Sequence, residues 1–224
     1  MAEEGLRTNF YIDGFNLYYR LLEPNPALKW LDLDRWCRLL MPKVVVHRIR
    51  YFTALVDARP NDPDQPNRQQ IYWRALATLP SVTIHLGRFK TRTKRVWLAH
   101  PPPNTTLARI SEEKGSDVNL ATLLVADAFR EDFDQAVVIS DDSDLMLPIE
   151  IVVNELGRPV GVLNPQQKPL DPKHPRASEL QAVASFYRVL RLGPIQGSQF
   201  PDELTDAVGT FNRPASWSAE APGP

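Results

Sequence analysis

The stretch Ala136-Val137-Val138-Ile139-Ser140-Asp141-Asp142-Ser143-Asp144-Leu145 decides the fold. Its first half is a run of four apolar residues, three of them β-branched, which is the pattern of a central strand buried on both faces. Its second half delivers three carboxylates to the end of that strand, where open α/β sheets place their ligands. Ser143 or Asp144 can cap the helix that follows, whose apolar positions continue through Leu147, Ile149 and Val152 to a stop at Gly157. A helix N-terminus stabilises one carboxylate through its dipole. Crowded acids raise one another's pKa unless a cation or hydrogen bonds intervene. A solvated acidic turn is the plain alternative, and a divalent-metal site is the sharper one.

The same grammar recurs earlier in the chain. Asn9-Phe10-Tyr11-Ile12 is a short strand that ends in Asp13-Gly14-Phe15-Asn16, with a helix after it. Asn16 can bond local backbone at the helix start, or it can fix the Asp13 carboxylate or a substrate phosphate. Further on, Val118, Ala121, Leu124, Val125 and Ala128 form one helical stripe that predicts packing against a sheet. Asp117 falls in the first turn of that helix, where a cap is the plain reading. Lys114-Gly115 just before it makes a flexible cationic entry that capping does not require.

Between these acidic junctions, Leu33 to Met41 reads as a helix and Val44 to Val56 as a strand that starts at the sheet's rim. Asp57 to Asn67 reads as a loop, Gln69 to Leu79 as a helix and Val82 to Phe89 as another strand. His85 reads as a hydrogen-bonded packing residue. Lys90, Arg92 and Lys94 alternate, so an extended segment places them on one face. With Arg88 and Arg95 they make the densest positive patch in the chain. It is either a charged, solvated edge strand or a phosphate-binding hairpin beside the acids. Pro101-Pro102-Pro103-Asn104 breaks the chain, and the segment to Ser111 is expected to be mobile. Pro159 to Asn164 reads as the last parallel strand, and Ser178 to Phe186 as a short final helix and turn. Residues 1–192 then form the domain. Residues 193–224 are an extension whose inner part (Phe200, Leu204, Val208, Phe211 and Trp217) drapes along it, with a disordered end.

Composition narrows the function. The 224 residues are 43% hydrophobic, enough for a real core, and the net charge of −1 supplies no global attraction to polyanions. A nucleic-acid site must therefore be a local patch. The single Cys37 lies in an amphipathic helical pattern and cannot form a disulfide within the chain. No apolar run is long enough to cross a bilayer and no leader is evident, so the chain is expected to be cytoplasmic.

Strands alternating with helices predict a three-layer α/β/α fold around a mostly parallel, Rossmann-like sheet. In such a sheet the first and fourth strands can be neighbours at the switch point. That would gather Asp13, Asp117 and the Asp141/Asp142/Asp144 group on one rim. Oxygen-only ligands select Mg²⁺ or Mn²⁺, and no Cys/His spacing suggests zinc.

Three blocks now carry a resemblance: Phe10 to Leu17, Glu113 to Ala121, and Val138 to Leu145. In order, spacing and strand context they resemble the signatures of the NYN domain family, part of the PIN-like nuclease group, over roughly residues 8–190. Ser198-Gln199-Phe200-Pro201 is similar to a bacterial branch of these proteins. The resemblance implies a metal-dependent ribonuclease that acts on RNA with Mg²⁺ or Mn²⁺. Asp13, Asp117, Asp142 and Asp144 would be its catalytic and metal-binding acids, with Asn16 the polar residue after the first acid. Ser140 would shape the turn beside Asp142, Lys114 and Ser143 would meet substrate, and Lys90, Arg92, Lys94 and Arg95 would guide the RNA backbone. Asp141 stands where relatives often have Gly or Asn, and its carboxylate can bind metal or repel RNA. Two alternatives stay open. One is a non-catalytic RNA- or protein-binding module. The other is a metal-dependent phosphatase, although Asp13-Gly14-Phe15 lacks the Asp-x-Asp spacing of the aspartyl-phosphate enzymes. A sheet edge or the tail can support a homodimer.

Overall fold

The computed structural model describes residues 5–100, 104–165 and 177–218. The first half of the chain gives β1 (Arg7–Asp13), α1 (Gly14–Leu17, continued by a wider turn over Tyr18–Leu22), α2 (Leu33–Leu40), β2 (Val45–Thr53), α3 (Gln65–Leu76), β3 (Val82–Leu86), β4 (Arg88–Trp97) and β5 (Thr105–Lys114). The second half gives α4 (Ser116–Phe129), β6 (Gln135–Ile139), α5 (Met146–Glu150), β7 (Val160–Asn164), α6 (Ala177–Val183), β8 (Phe186–Val189), α7 (Leu192–Gln196), β9 (Glu203–Thr205) and β10 (Thr210–Asn212).

Six strands form one parallel sheet in the order β3-β2-β1-β6-β7-β8. The chain builds outward from β1 to β3, returns, and builds outward the other way from β6 to β8. The direction reverses between β1 and β6, so those two strand ends flank the switch point. Period-two alternation divides the core into two layers. Phe10, Ile12, Val137 and Ile139 face α2, α3 and α7, while Tyr11, Ala136 and Val138 face Leu120 and Leu124 of α4 and Ile149 of α5. Among the described residues no helix is long and apolar enough to cross a membrane.

Several elements differ from the sequence-based expectation. Val82 to Phe89 is not one strand, because the chain leaves the sheet at Gly87 and β4 pairs instead with β5 in a separate antiparallel hairpin. The segment expected to be mobile up to Ser111 is therefore largely strand, with ten residue pairs holding it to β4; residues 101–103 lie outside the described chain. The sheet has one strand more than expected, since β8 pairs in parallel with β7. α3 starts at Gln65 rather than Gln69, with Pro66 in the first turn, where a missing N–H costs nothing. In α4 the inward residues are Leu120, Leu124, Asp127 and Ala128, whereas Val118 is 68% exposed.

Beyond α7 the chain packs back on the domain. Phe200, Phe211 and Trp217 surround Trp30 at ring distances of 5.6, 6.5 and 6.3 Å. The Trp30 indole N–H donates to the Pro201 carbonyl at 2.7 Å. Arg74 clamps Asp206 with two hydrogen bonds of 2.7 Å. Val208 stays exposed at the tip between β9 and β10, and residues 219–224 lie outside the described chain.

One polar group is built into the interior. Arg50 of β2 reaches across to Asp127 of α4 with bonds of 2.7 and 3.0 Å, and the Tyr11 hydroxyl donates to the same carboxylate at 2.7 Å. His85 stacks on Phe52 and meets Arg50 Nη1 at 3.0 Å. A guanidinium can only donate, so the His85 Nε2 accepts and the ring is neutral. Burial and then the Arg50 charge depress its pKa accordingly. Replacing Arg50 with Met leaves the Asp127 charge buried with one hydroxyl and the exposed, more distant Arg130 guanidinium at 3.9 Å. The expected loss is about 3–5 kcal/mol in urea unfolding, and the Arg50→Met/Asp127→Leu double variant should recover part of it.

Candidate active site

Asp13 ends β1 and Ser140 follows β6, so the parallel pairing of those strands sets the two side by side. Asp13 is 4% exposed and its two oxygens are both used. Oδ1 accepts the Asn16 backbone N–H at 2.9 Å, which caps α1, and Oδ2 accepts the Ser140 hydroxyl at 2.9 Å. The Ser140 oxygen in turn accepts the Asp142 N–H at 3.1 Å, and Asn16 Oδ1 accepts the Asp141 N–H at 3.2 Å. The two acidic junctions are thus tied together in both directions. Gly14 is required there for space rather than for an unusual φ, since a Cβ would lie 2.6 Å from the Phe52 carbonyl oxygen.

Asp142 itself caps the short turn Ser143–Leu145, its Oδ1 accepting the Asp144 N–H at 3.1 Å. That corrects the expectation that Ser143 or Asp144 would cap. Asp117 enters from α4, whose N-cap is Gly115 at φ 102°, a left-handed conformation that a side chain resists. Glu113 completes that turn by accepting the Ser116 hydroxyl at 2.7 Å and the Ser116 N–H at 3.2 Å.

Asp13, Asn16, Asp117 and Asp142 line one cleft together with Glu113, Ser116, Phe15, Tyr19, Arg20 and Phe89. Burial pushes the Asp13 carboxyl up to about 7 against the pull of the Asn16 and Ser140 hydrogen bonds, and the Asp117 and Asp142 charges add to the rise. Asp117 is raised as well, first by burial and then by Asp142, Glu113 and Asp144. Asp141 turns to Arg20 in a 3.0 Å ion pair, so its charge is neutralised rather than offered to the cleft.

Among the described residues, no three His, Cys, Asp or Glu side chains are drawn together closely enough to grip a metal on their own. Mg²⁺, however, is commonly held by one or two carboxylates with water completing the shell. A buried carboxyl near pH 7 beside two further acids is chemically suited to that mode of binding. Asp13, Asp117 and Asp142 fit a hard cation held partly through water.

The remaining sequence candidates lie elsewhere. Asp144 is exposed outside the cleft lining, and Ser143 starts the short turn beside it. Lys114 pairs with Glu112 at 3.4 Å. Only the base of the hairpin, Phe89 opposite Glu113, reaches the cleft. Lys90, Arg92, Lys94 and Arg95 lie farther along the arm, with Arg92 paired to Glu112 at 3.1 Å and Arg95 donating to the Thr105 hydroxyl at 3.2 Å. Sequence reading assigned no role to Glu113, Arg20, Phe15, Tyr19 or Phe89. The repeated spacing of Phe15 and Tyr19, one helical turn apart, was the available signal.

An all-parallel α/β/α sheet with acids gathered at its switch point defines a PIN-like nuclease-type fold. The NYN domain model matches residues 7–190, and the chain belongs to the NYN domain family. It is 29% identical over 192 residues to 6-hydroxy-3-succinoylpyridine 3-monooxygenase HspA of Pseudomonas putida (strain DSM 28022 / S16), covering 74% of this chain. The match spans 61% of that relative's length. The crystal structure of a protein of unknown function from Vibrio parahaemolyticus RIMD 2210633 has the same fold, with a TM-score of 0.52 at 14% identity, covering 85% of this chain and 96% of that one.

Asp13 has a measurable signature. Its folded pKa of about 7 lies above the ordinary 3.8, so its contribution to stability is full below that ordinary value and lost as pH rises through 7. In EDTA, calorimetry should show the melting temperature falling between pH 5 and 8 by about 5–10 °C more than in Asp13→Asn. Parallel curves for the two proteins would rule out a buried, strained acid.

Proposed function

We propose that the chain is a divalent-cation-dependent ribonuclease that hydrolyses RNA phosphodiesters in the cleft between β1, β6 and α4. The observation that carries this is the convergence of Asp13, Asp117 and Asp142, remote in sequence, on one cleft at the switch point. Asp13, Asp117 and Asp142 would hold Mg²⁺ or Mn²⁺, directly or through water. Such an ion supplies neutralisation of the phosphate, a more acidic water and stabilisation of the leaving oxygen.

The chain's own residues do the positioning. The Ser140 hydroxyl and the Asn16 N–H fix both oxygens of Asp13, so its orientation is set before substrate arrives. Arg20 removes the Asp141 charge that would otherwise repel a phosphate. Asp144, exposed outside the cleft lining but close enough for its charge to act on Asp117, would orient the attacking water. Water then attacks phosphorus in line, the P–O3′ bond breaks, and the products carry 5′-phosphate and 3′-hydroxyl ends. Lys90, Lys94 and the other cations of the hairpin arm guide the RNA backbone towards its base, where Phe89 meets the cleft. Lys114 and Ser143, next in sequence to the cleft residues Glu113 and Asp142, would become further phosphate contacts, Lys114 by leaving Glu112.

A second reading follows the name of the Pseudomonas relative, in which the site handles a hydroxylated pyridine. An aromatic-walled pocket that opens beside the acids favours it.

One set of assays separates these. Labelled single-stranded RNA should be cut with Mg²⁺ or Mn²⁺ and left intact in EDTA. Asp142→Asn should lower the rate by about 100-fold or more, the scale of losing one preorganised charged group. Binding without cutting identifies a non-catalytic module, and phosphate release from nucleotides a phosphatase. Conversion of 6-hydroxy-3-succinoylpyridine with oxygen and a reductant, and no cutting of RNA, identifies the second reading. Lys90→Ala/Lys94→Ala should flatten the dependence of RNA affinity on log salt by about one to two units.

A further inference from the structure

A second cavity lies against the acidic cleft and takes no part in holding a cation. Its walls are aromatic: Tyr18, Tyr19, Tyr51, Tyr72, Trp73 and Trp217. Phe15 and Tyr19 line both this cavity and the cleft, so the two spaces share a wall. Phe15 is braced from both sides, by Tyr19 at 6.3 Å and by Phe89 of the hairpin at 5.8 Å. The cavity measures about 70 Å³. A water occupies about 10–15 Å³ on that measure, so there is room for roughly five, the bulk of one six-membered ring with its substituents.

Polar groups on the same walls are uncommitted. Gln65 Oε1 and Trp73 Nε1, on two of the wall residues, have no hydrogen-bond partner among the described residues, and both are closed to solvent, so a ligand reaches this acceptor and donor through a small shift of the wall. Half-buried Lys29 sits 5.2 Å from the Tyr18 ring centre and 3.4 Å from its hydroxyl. Among the described residues no carboxylate lies within ion-pair distance of Lys29, whereas the other cation on the wall, Arg68, is paired with Asp62. Glu23 and Asp62 act on Lys29 only from beyond that distance, so a cation without a direct ion pair beside an aromatic cavity suits an anionic group carried on the ring that fills it.

We infer that this cavity is the subsite for one planar heteroaromatic ring bearing an anionic group, and that in the substrate it takes the base of a nucleotide next to the bond that is cut. The ring stacks on the aromatic walls and offers both a donor and an acceptor along its edge, while Lys29 meets a neighbouring phosphate. A base seated there passes Phe15 and Tyr19, so its own phosphodiester emerges in the acidic cleft. The nucleotide assignment rests on the proposed hydrolysis of RNA. The ring-and-anion chemistry does not, and a free heteroaromatic acid shares it.

The test uses the full chain, ¹⁵N-labelled, in EDTA so that nothing is cut. Of the five tryptophans, Trp73 and Trp217 line the cavity, while Trp97 stands 80% exposed on the hairpin and serves as the internal reference. Uridine 5′-monophosphate should shift the Trp73 and Trp217 indole signals saturably, leave Trp97 in place, and bind about tenfold more tightly than ribose 5-phosphate. Lys29→Met should weaken it by about tenfold, and Gln65→Ala should weaken it separately, each in a chain with an otherwise unchanged spectrum. Equal binding of ribose 5-phosphate, or shifts confined to Trp97, overturns the ring subsite. Nicotinate binding as tightly as the nucleotide overturns the nucleotide assignment. RNA cleaved without any indole response sinks the subsite alone, whereas indole shifts without cleavage sink the hydrolysis alone.

Discussion

The hydrogen bond from the Ser140 hydroxyl to Asp13 joins the ends of the two strands that flank the switch point. Everything at the rim is arranged around it. Because Ser140 also accepts the Asp142 N–H, the position of the second acidic junction is set by the first. Asn16 repeats the tie from the other side through the Asp141 N–H. Neither link survives a one-residue slip of β1 against β6, since a slip would send Asp13 to the opposite face of the sheet. Register and site are one constraint.

That constraint has a thermodynamic cost. A carboxyl that is almost fully buried prefers its proton, and two neighbouring acids reinforce the preference. Folded proteins tolerate such groups where the chemistry needs them. Farther along α4, the comparable buried acid, Asp127, is treated differently: it has a bidentate guanidinium and a phenol, with Arg130 at 3.9 Å. One buried aspartate is fully satisfied and serves the core. The other is given two donors and no counter-ion among the ion pairs of the described residues, and it faces a cleft. The contrast separates a satisfied buried acid from a strained one within a single chain.

The parallel sheet was legible because its strands carry unbroken apolar runs that stop at acids, as in Val137 to Asp142 and Phe10 to Asp13. Their adjacency followed from general topology, and with it the meeting of Asp13, Asp117 and Asp142. The hairpin was harder. β4 is exposed along most of its length and β5 is at most half-buried, so no buried face marks them, and Pro101 to Pro103 suggested a break where the chain turns back. β8 is short and only partly buried, which left its pairing to β7 invisible to periodicity. The aromatic cavity was out of reach for a different reason. Its walls come from α1, β2, α3 and the C-terminal segment, and Tyr or Trp at a helical spacing looks like ordinary core until coordinates show a face left open.

Trp217 belongs to neither the sheet nor the span matched by the NYN model, which ends at residue 190, yet it closes one side of the cavity. The other walls of the cavity, Phe15 to Trp73, lie within that span, so Trp217 is the one wall that can change without touching the matched domain. Chimaeras that exchange the segment after α7 between homologues could retune selectivity while leaving the aspartates untouched. Divergence within such a family can proceed by the same route, through an appendage free to vary around a fixed reactive centre.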